Sequence, residues 1–329
     1  MPASRLRSLG AALLLAAVGG CDFTPALDID TPAYEPGLVL RAVLAADSTV
    51  SLRVTESRDP YGGRSYLGPT APSADATVTL LRDGQPVETL VLCPDVCDDY
   101  SRPPGPDGFP PTFPCGPYQG TTRMEPGATY TFRVDAAGYP TATATVTIPR
   151  RPTLTATQEG DGADRRFRVR LTDPAGLGDL YGLSLLRDYT YTSTVTCDPN
   201  TGECTETTET TRLLNSFTTS DPVLLSASVE IDGNITFVVF QDQTFDGQEK
   251  TFTMARDDRY GPGDAYGAET VQVAALSGDV YDAYRIEYFS GGDENPFAEP
   301  INLPSNVVGG YGLVGAVTLA EVTFEAEAP

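Results

Sequence analysis

The sequence predicts a mainly β protein. An N-terminal immunoglobulin-like or transthyretin-like β-sandwich over residues 37–149 is followed by a second β-rich domain over residues 150–329 with one short late helix. Three observations predict this. Apolar and polar residues alternate in short runs, as half-buried strands require. Gly and Pro, 32 and 28 of the 329 residues, separate those runs with turn chemistry. A helical period is readable at one place, near the end of the chain.

The chain opens with Arg5 and Arg7, an apolar run from Leu9 to Val18, and Gly19-Gly20-Cys21. A basic start, a short apolar core and small residues before a cut form a secretory signal peptide over residues 1–20. A membrane-spanning helix needs about 20 apolar residues, and this run falls well short. With cysteine first in the mature chain, the segment has the form of a lipobox. Cys21 is therefore the predicted lipidation site and the link to a membrane, since two or more acyl chains hold stably where one holds marginally. Residues 21–36, rich in Asp and Pro, read as a flexible tether.

Removing residues 1–20 leaves 329 − 20 = 309 residues, enough for two domains of ordinary size. The formal charge is −23, and −25 once Arg5 and Arg7 are gone. Such a chain is repelled by nucleic acid, which is excluded as a partner. Lys250 is the one lysine among 22 cations, leaving 22 − 1 = 21 arginines. Histidine and tryptophan are absent. Without histidine, the usual general base of serine and cysteine hydrolases and imidazole-based zinc sites are both missing. No cofactor motif is present, and the expectation is a non-enzymatic protein. Paired carboxylates are the one catalytic device the composition leaves open.

In the first module, Leu38 to Leu44 and Val50 to Val54 read as strands, as do Ala76 to Leu81 and Val87 to Leu92 around the Asp83-Gly84 turn. Cys93 to Gly120 reads as a long loop, since its Pro-rich pieces Ser101–Pro106 and Phe109–Pro114 do not suit a sheet. Thr129 to Val134 and Thr141 to Ile148 flank a turn at Gly138-Tyr139-Pro140 and complete a sandwich pattern.

Pro149-Arg150-Arg151-Pro152 marks the boundary. Beyond it, Arg166, Arg168 and Arg170 alternate with Phe167, Val169 and Leu171. These arginines are either an anion-binding stripe or the wet face of one strand paired with surface carboxylates, and the latter is the simpler reading. Tyr189 to Arg212 is threonine-rich and reads as a projecting hairpin. At its tip Cys197 and Cys204 bracket a turn, and an exported protein would join them in a disulfide. Cys93, Cys97 and Cys115 cannot all pair, and sequence does not choose among them. Their spacing assigns no metal, and neither does the acidic group Asp257, Asp258 and Asp264, which lacks EF-hand spacing. Val229 to Ile231 and Ile235 to Val239 suggest another hairpin around Asp232-Gly233-Asn234. The helix is carried by Val280, Tyr281, Tyr284 and Tyr288, with Ser277 or Asp279 as its cap.

Several of these features together resemble a known family. They are the lipobox start, Phe245-Asp246-Gly247-Gln248, the Tyr281-Asp282-Ala283-Tyr284 helix, and the run from Asn295-Pro296-Phe297 through Pro304-Ser305-Asn306 to Gly309-Gly310-Tyr311-Gly312. The chain resembles the Bacteroidota lipoprotein family catalogued as domain of unknown function 4249. That resemblance implies an outer-membrane, lipid-anchored protein, on an unresolved face of that membrane. It also implies a TonB-dependent outer-membrane transporter as partner in nutrient capture. It supplies no catalytic or ligand residues, and read physically its motifs are structural. An envelope-structural or adhesive role and a carboxylate-dependent glycan-active enzyme are the alternatives.

Overall fold

The computed structural model describes residues 35–57, 75–93, 96–98, 112–114, 116–160, 164–176, 178–197, 204–227, 237–256, 267–289 and 304–325. All but Glu35 belong to one compact unit, Pro36–Pro329. The protein is mainly β, built on one large mixed sheet and a second, smaller one, with a separate two-stranded ladder.

The first half supplies β1 (Leu38–Ala45), β2 (Thr49–Glu56), β3 (Thr77–Arg82), β4 (Gln85–Leu92), β5 (Val96–Asp98), β6 (Thr112–Pro114), β7 (Tyr118–Arg123), β8 (Thr129–Asp135) and β9 (Ala142–Thr147). Alternation decides which side chains go inward: Leu38, Leu40, Val50, Leu52, Val78 and Leu80 are all buried in a common core. Asp83 and Gly84 both take positive φ, 50° and 78°, the backbone a tight two-residue hairpin requires.

The expectation of an unpaired loop from Cys93 to Gly120 is corrected in two places. Val96–Asp98 pairs antiparallel with Thr112–Pro114. Pro114 is tolerated because it ends a two-stranded ladder, where no neighbour needs its missing N–H. Tyr118–Arg123 enters the main sheet between β2 and β4. It was unreadable as a strand because Tyr118 is its one fully buried side chain. Beside it, the Glu88 carboxylate accepts hydrogen bonds from the Thr121 and Thr122 amides at 2.7 and 2.9 Å.

The second half supplies β10 (Thr153–Glu159), β11 (Arg166–Thr172), β12 (Leu180–Cys197), β13 (Cys204–Asn215), β14 (Phe217–Thr219), α1 (Pro222–Ala227), β15 (Phe237–Gln241), β16 (Glu249–Arg256), β17 (Glu269–Leu276), α2 (Gly278–Phe289), β18 (Val307–Val308) and β19 (Tyr311–Phe324). Strands β10-β11-β16-β14 form the smaller sheet. Its inner face (Phe167, Val169, Leu171, Phe252, Met254) meets the inner face of β12, β15 and β17 (Leu183, Leu185, Val238, Val271, Val273) in a second core. On the far side of those same strands, Val280 and Tyr281 of α2 pack against Val239, Ala274 and Leu276.

The thirteen-stranded sheet runs β13-β12-β17-β19-β1-β2-β7-β4-β3-β8-β9-β18, with β15 also beside β12. The break between cores falls near residue 149, yet the last strand serves both. The first half of β19 pairs parallel with β1, Val39 opposite Tyr311 through Ala45 opposite Val317. Its second half pairs antiparallel with β17, Leu276 opposite Val317 through Glu269 opposite Phe324. Val314 and Ala316 are buried in the first core, and Phe324 packs on the second.

The turn feeding β19 requires its glycines. At Gly309, with φ of 77°, a Cβ would collide with the Thr141 carbonyl, and at Gly312, with φ of 107°, with the Leu40 carbonyl.

Ser277 stands at the N-cap of α2, where its carbonyl accepts the Tyr281 amide at 3.1 Å, while its Oγ accepts the Ala316 amide of β19 at 2.9 Å. The short helix α1 was not expected, although Asp221 caps it by accepting the Val223 amide at 2.9 Å. Asp followed by Pro at the first helical position is a readable start signal. Tyr284 of α2 is 44% exposed but lies against Phe237, ring centroids 5.0 Å apart and tilted by 39°.

Candidate functional site

Two loops meet where β11 ends and β15 ends. The first runs from Asp173 through Pro174, Gly176 and Gly178 to Asp179, and the second from Asp242 to Gln248. The Asp173 amide donates to the Gln248 carbonyl at 3.1 Å and the Asp242 amide to the Asp179 carbonyl at 3.2 Å. This junction gathers Asp173, Asp242 and Asp246, with one carboxylate oxygen of each within 4.8 Å of the others.

Three like charges this close need compensation, and backbone donors provide it. Asp246 accepts the Gly176 amide at 2.7 Å, and Asp242 accepts the Gly178 amide at 3.1 and 3.2 Å. Asp173 accepts the Tyr181 hydroxyl at 2.6 Å and the Gly247 amide at 2.8 Å. Gly247 has φ of 66° and lies against Ala175, so a side chain there would strain the loop. Phe245 is buried and sits 6.3 Å from both Phe240 and Phe252. The sequence motif Phe245-Asp246-Gly247-Gln248 is thus a loop lock: an aromatic plug, a carboxylate, a left-handed glycine and a backbone clasp. Burial, then the bond to Asp173, pushes the Tyr181 phenol far up, keeping it protonated as a donor. Carboxylate oxygens suit a hard divalent cation, and Ca²⁺ takes about six to eight oxygen ligands from carboxylates, carbonyls and water. Asp173, Asp242 and Asp246 would supply part of such a shell.

A cleft of about 500 Å³ opens beside the lock. One wall is Thr145 to Arg150 from the first half of the chain. The other is Pro174 to Gly176, Asp179 to Tyr181, and Ala275 to Asp279. Asp179 is half-buried on this wall. Burial first, and then the charges of Asp173 and Asp242, raise its pKa, while Arg150 across the cleft pulls it back. The cleft therefore sets a guanidinium opposite a strongly negative wall.

Of the residues singled out from sequence, Phe245, Asp246 and Gly247 build this lock. Pro304, Ser305 and Asn306 lie elsewhere, at the entry to β19. There the Asn306 side chain donates to the Val314 carbonyl at 2.7 Å and accepts its amide at 3.0 Å. Ser305 Oγ accepts the Val307 amide at 3.4 Å. Cys197 and Cys204 stand opposite each other in the β12–β13 ladder, and Cys93 is a free, half-buried thiol. Cys21, Cys115, Asn295, Pro296, Phe297, the group Asp257, Asp258 and Asp264, and the Asp232-Gly233-Asn234 turn lie outside the described residues. Asp173, Asp242 and Asp179 were missed from sequence. The available signal was Asp173-Pro174-Ala175-Gly176-Leu177-Gly178-Asp179, a turn sequence with a carboxylate at each end.

Fold and site together define a β protein of two cores joined by a shared strand, with a charged cleft at the seam. Residues 24–322 match the family model described as Domain of unknown function (DUF4249). The chain belongs to that family. Among curated proteins, none matches the chain.

Proposed function

We propose that the protein is a surface-tethered bacterial lipoprotein, held in the outer membrane through acylated Cys21. On this reading it acts without catalysis as the accessory of a TonB-dependent transporter in nutrient capture. The cleft carries this reading. Its volume of about 500 Å³ lies within the range of about 300–1,000 Å³ typical of small-ligand sites, and its walls come from both halves of the chain. The lipobox supports the anchor, as does the lipoprotein character that the family resemblance implies. A bridge between Cys197 and Cys204, which the strand register favours, would staple the tip of the β12–β13 hairpin.

The enzyme alternative would need two free carboxylates, and Asp173 and Asp242 already accept donors that hold the loops.

The adhesive alternative has its own observation. Beyond Asp188, whose amide still bonds the Ala268 carbonyl, β12 pairs with β13 alone among the described residues, so the hairpin stands out as a two-stranded arm. Crosslinking of the tagged protein in intact cells, followed by mass spectrometry, tests both. Capture of a transporter is the expected result. Capture of envelope proteins with no transporter would favour the adhesive role.

A further inference from the structure

The solvent face of the four-stranded sheet carries a row of cations in an otherwise acidic protein. Arg166, Arg168 and Arg170 all point outward from β11, while Phe167, Val169 and Leu171 between them are fully buried. Successive arginines are therefore about 6.8 Å apart on a strand fixed from behind by the core. The register places threonines on both sides: Thr157 and Thr155 of β10 face Arg168 and Arg170, and Thr253 and Thr251 of β16 face the same two from the opposite edge.

A surface that merely balanced charge would pair these arginines. Instead Arg170 has one loose contact, 3.8 Å to Glu249, and neither Arg166 nor Arg168 has an ion-pair partner among the described residues. Glu159 stands opposite Arg166 at one end of the row, so acids fence both ends and leave the centre open. In a chain of net charge −23, this is a local reversal of sign.

We propose that this face binds an acid-bearing polysaccharide, its carboxylates on the arginines and its hydroxyls on the flanking threonines. Guanidinium forks match carboxylates two bonds at a time, and threonine hydroxyls can both donate to and accept from sugar hydroxyls. Other polyanions fit less well. Membrane-surface binding combines basic residues with inserted apolar ones, and Ala255 is the sole apolar residue on these outward rows of β10, β11 and β16. Nucleic-acid platforms stack bases on aromatic rings, and among the described residues the outward rows of these strands carry none. A folded protein partner would want an aromatic anchor beside the arginines, and those described rows do not supply it.

The test uses residues 21–329 with Cys21→Ala, which retain the whole compact unit and carry no acyl chain. Binding to immobilised polygalacturonate is measured at low salt, with neutral dextran and phosphatidylglycerol vesicles as comparison surfaces. The expected result is retention on polygalacturonate alone, weakened at least tenfold by raising the salt or by R166Q/R168Q/R170Q. The single pair R168Q and R168K guards against a folding defect, and lysine is expected to restore part of the affinity that glutamine removes. No retention at low salt, equal retention of the triple variant in folded form, or tighter binding to vesicles would each overturn the proposal.

Discussion

The side-chain amide of Asn306 satisfies both backbone polar groups of Val314, as a neighbouring strand would. It donates to the carbonyl at 2.7 Å and accepts the amide at 3.0 Å. Val314 is buried in the first core, so neither backbone group has water to fall back on. Leaving a buried group unpaired costs about 1–3 kcal/mol. Asn306→Ala is therefore expected to lower stability by about 2–4 kcal/mol, read as a drop in the urea midpoint. Asn306→Asp, which keeps the acceptor and loses the donor, should fall between. Unchanged midpoints in both would show that the clamp is dispensable.

Glu269 lies between two buried arginines. Arg165 reaches it at 2.5 Å and Arg256 at 3.7 Å, with all three side chains at most 6% exposed. Removing one member of a buried ion group costs about 3–5 kcal/mol, because the remaining charge is left stranded. Glu269→Gln should be among the most damaging single changes in the second core. Replacing Glu249, whose ion pair with Arg170 is exposed, should cost less than about 1 kcal/mol. Equal losses for the two variants in chemical denaturation would contradict this ranking.

Acid should weaken the first core through Glu88. Hydrogen bonds from Thr122 and Thr121 hold its carboxyl down at about 2, against an ordinary 4.5. The folded value lies below the unfolded one, so ionised Glu88 stabilises the fold above about pH 4.5. That contribution is lost as the pH falls toward 2. Glu125 and Asp135, lowered first by their bonds to Arg82 and Arg133, act in the same direction, though both are solvent-screened. Stability measured from about pH 5 down to pH 2 should decline less steeply in Glu88→Gln than in the parent. Parallel curves would remove Glu88 from the account.

Cys197 and Cys204 occupy directly opposed positions in the hairpin ladder. Peptide mapping without reductant, on protein exported to an oxidising compartment, is expected to find them joined. Cys93 should be alkylated under those same conditions, since it is a free and half-buried thiol. Recovery of Cys204 linked to a different cysteine would overturn the pairing.

Cys21→Ala should move the protein from the membrane fraction to the soluble one, since no helix among the described residues is long and apolar enough to cross a membrane. Retention in the membrane would mean that something other than the acyl group holds it.

Local chemistry explains which parts were legible in the sequence. The Asp83-Gly84 turn, the alternation in β2 and β11, and the late helix each depend on near neighbours, and each was readable. The parallel partnership of Val39 with Tyr311 depends on residues separated by most of the chain, and no periodicity encodes it. The lock was half readable. Phe245, Asp246 and Gly247 stood out as a motif, but their partners Asp173 and Gly176 are brought to them only by the packing of two sheets. The Pro-rich segment before Tyr118 misled because proline is barred from the middle of a sheet but not from the end of an isolated ladder.

The shared strand has a consequence for how the chain can be made. Synthesis proceeds from the first residue to the last, and domains ordinarily close in that order. Here the edge of β1 waits for residues 311–317, so the earliest segment to emerge cannot finish its own core. The nascent protein stays open along that edge until nearly the whole chain is available. Loss of the final fourteen-residue strand would then leave both cores unfinished, where loss of an ordinary C-terminal element would spare the first.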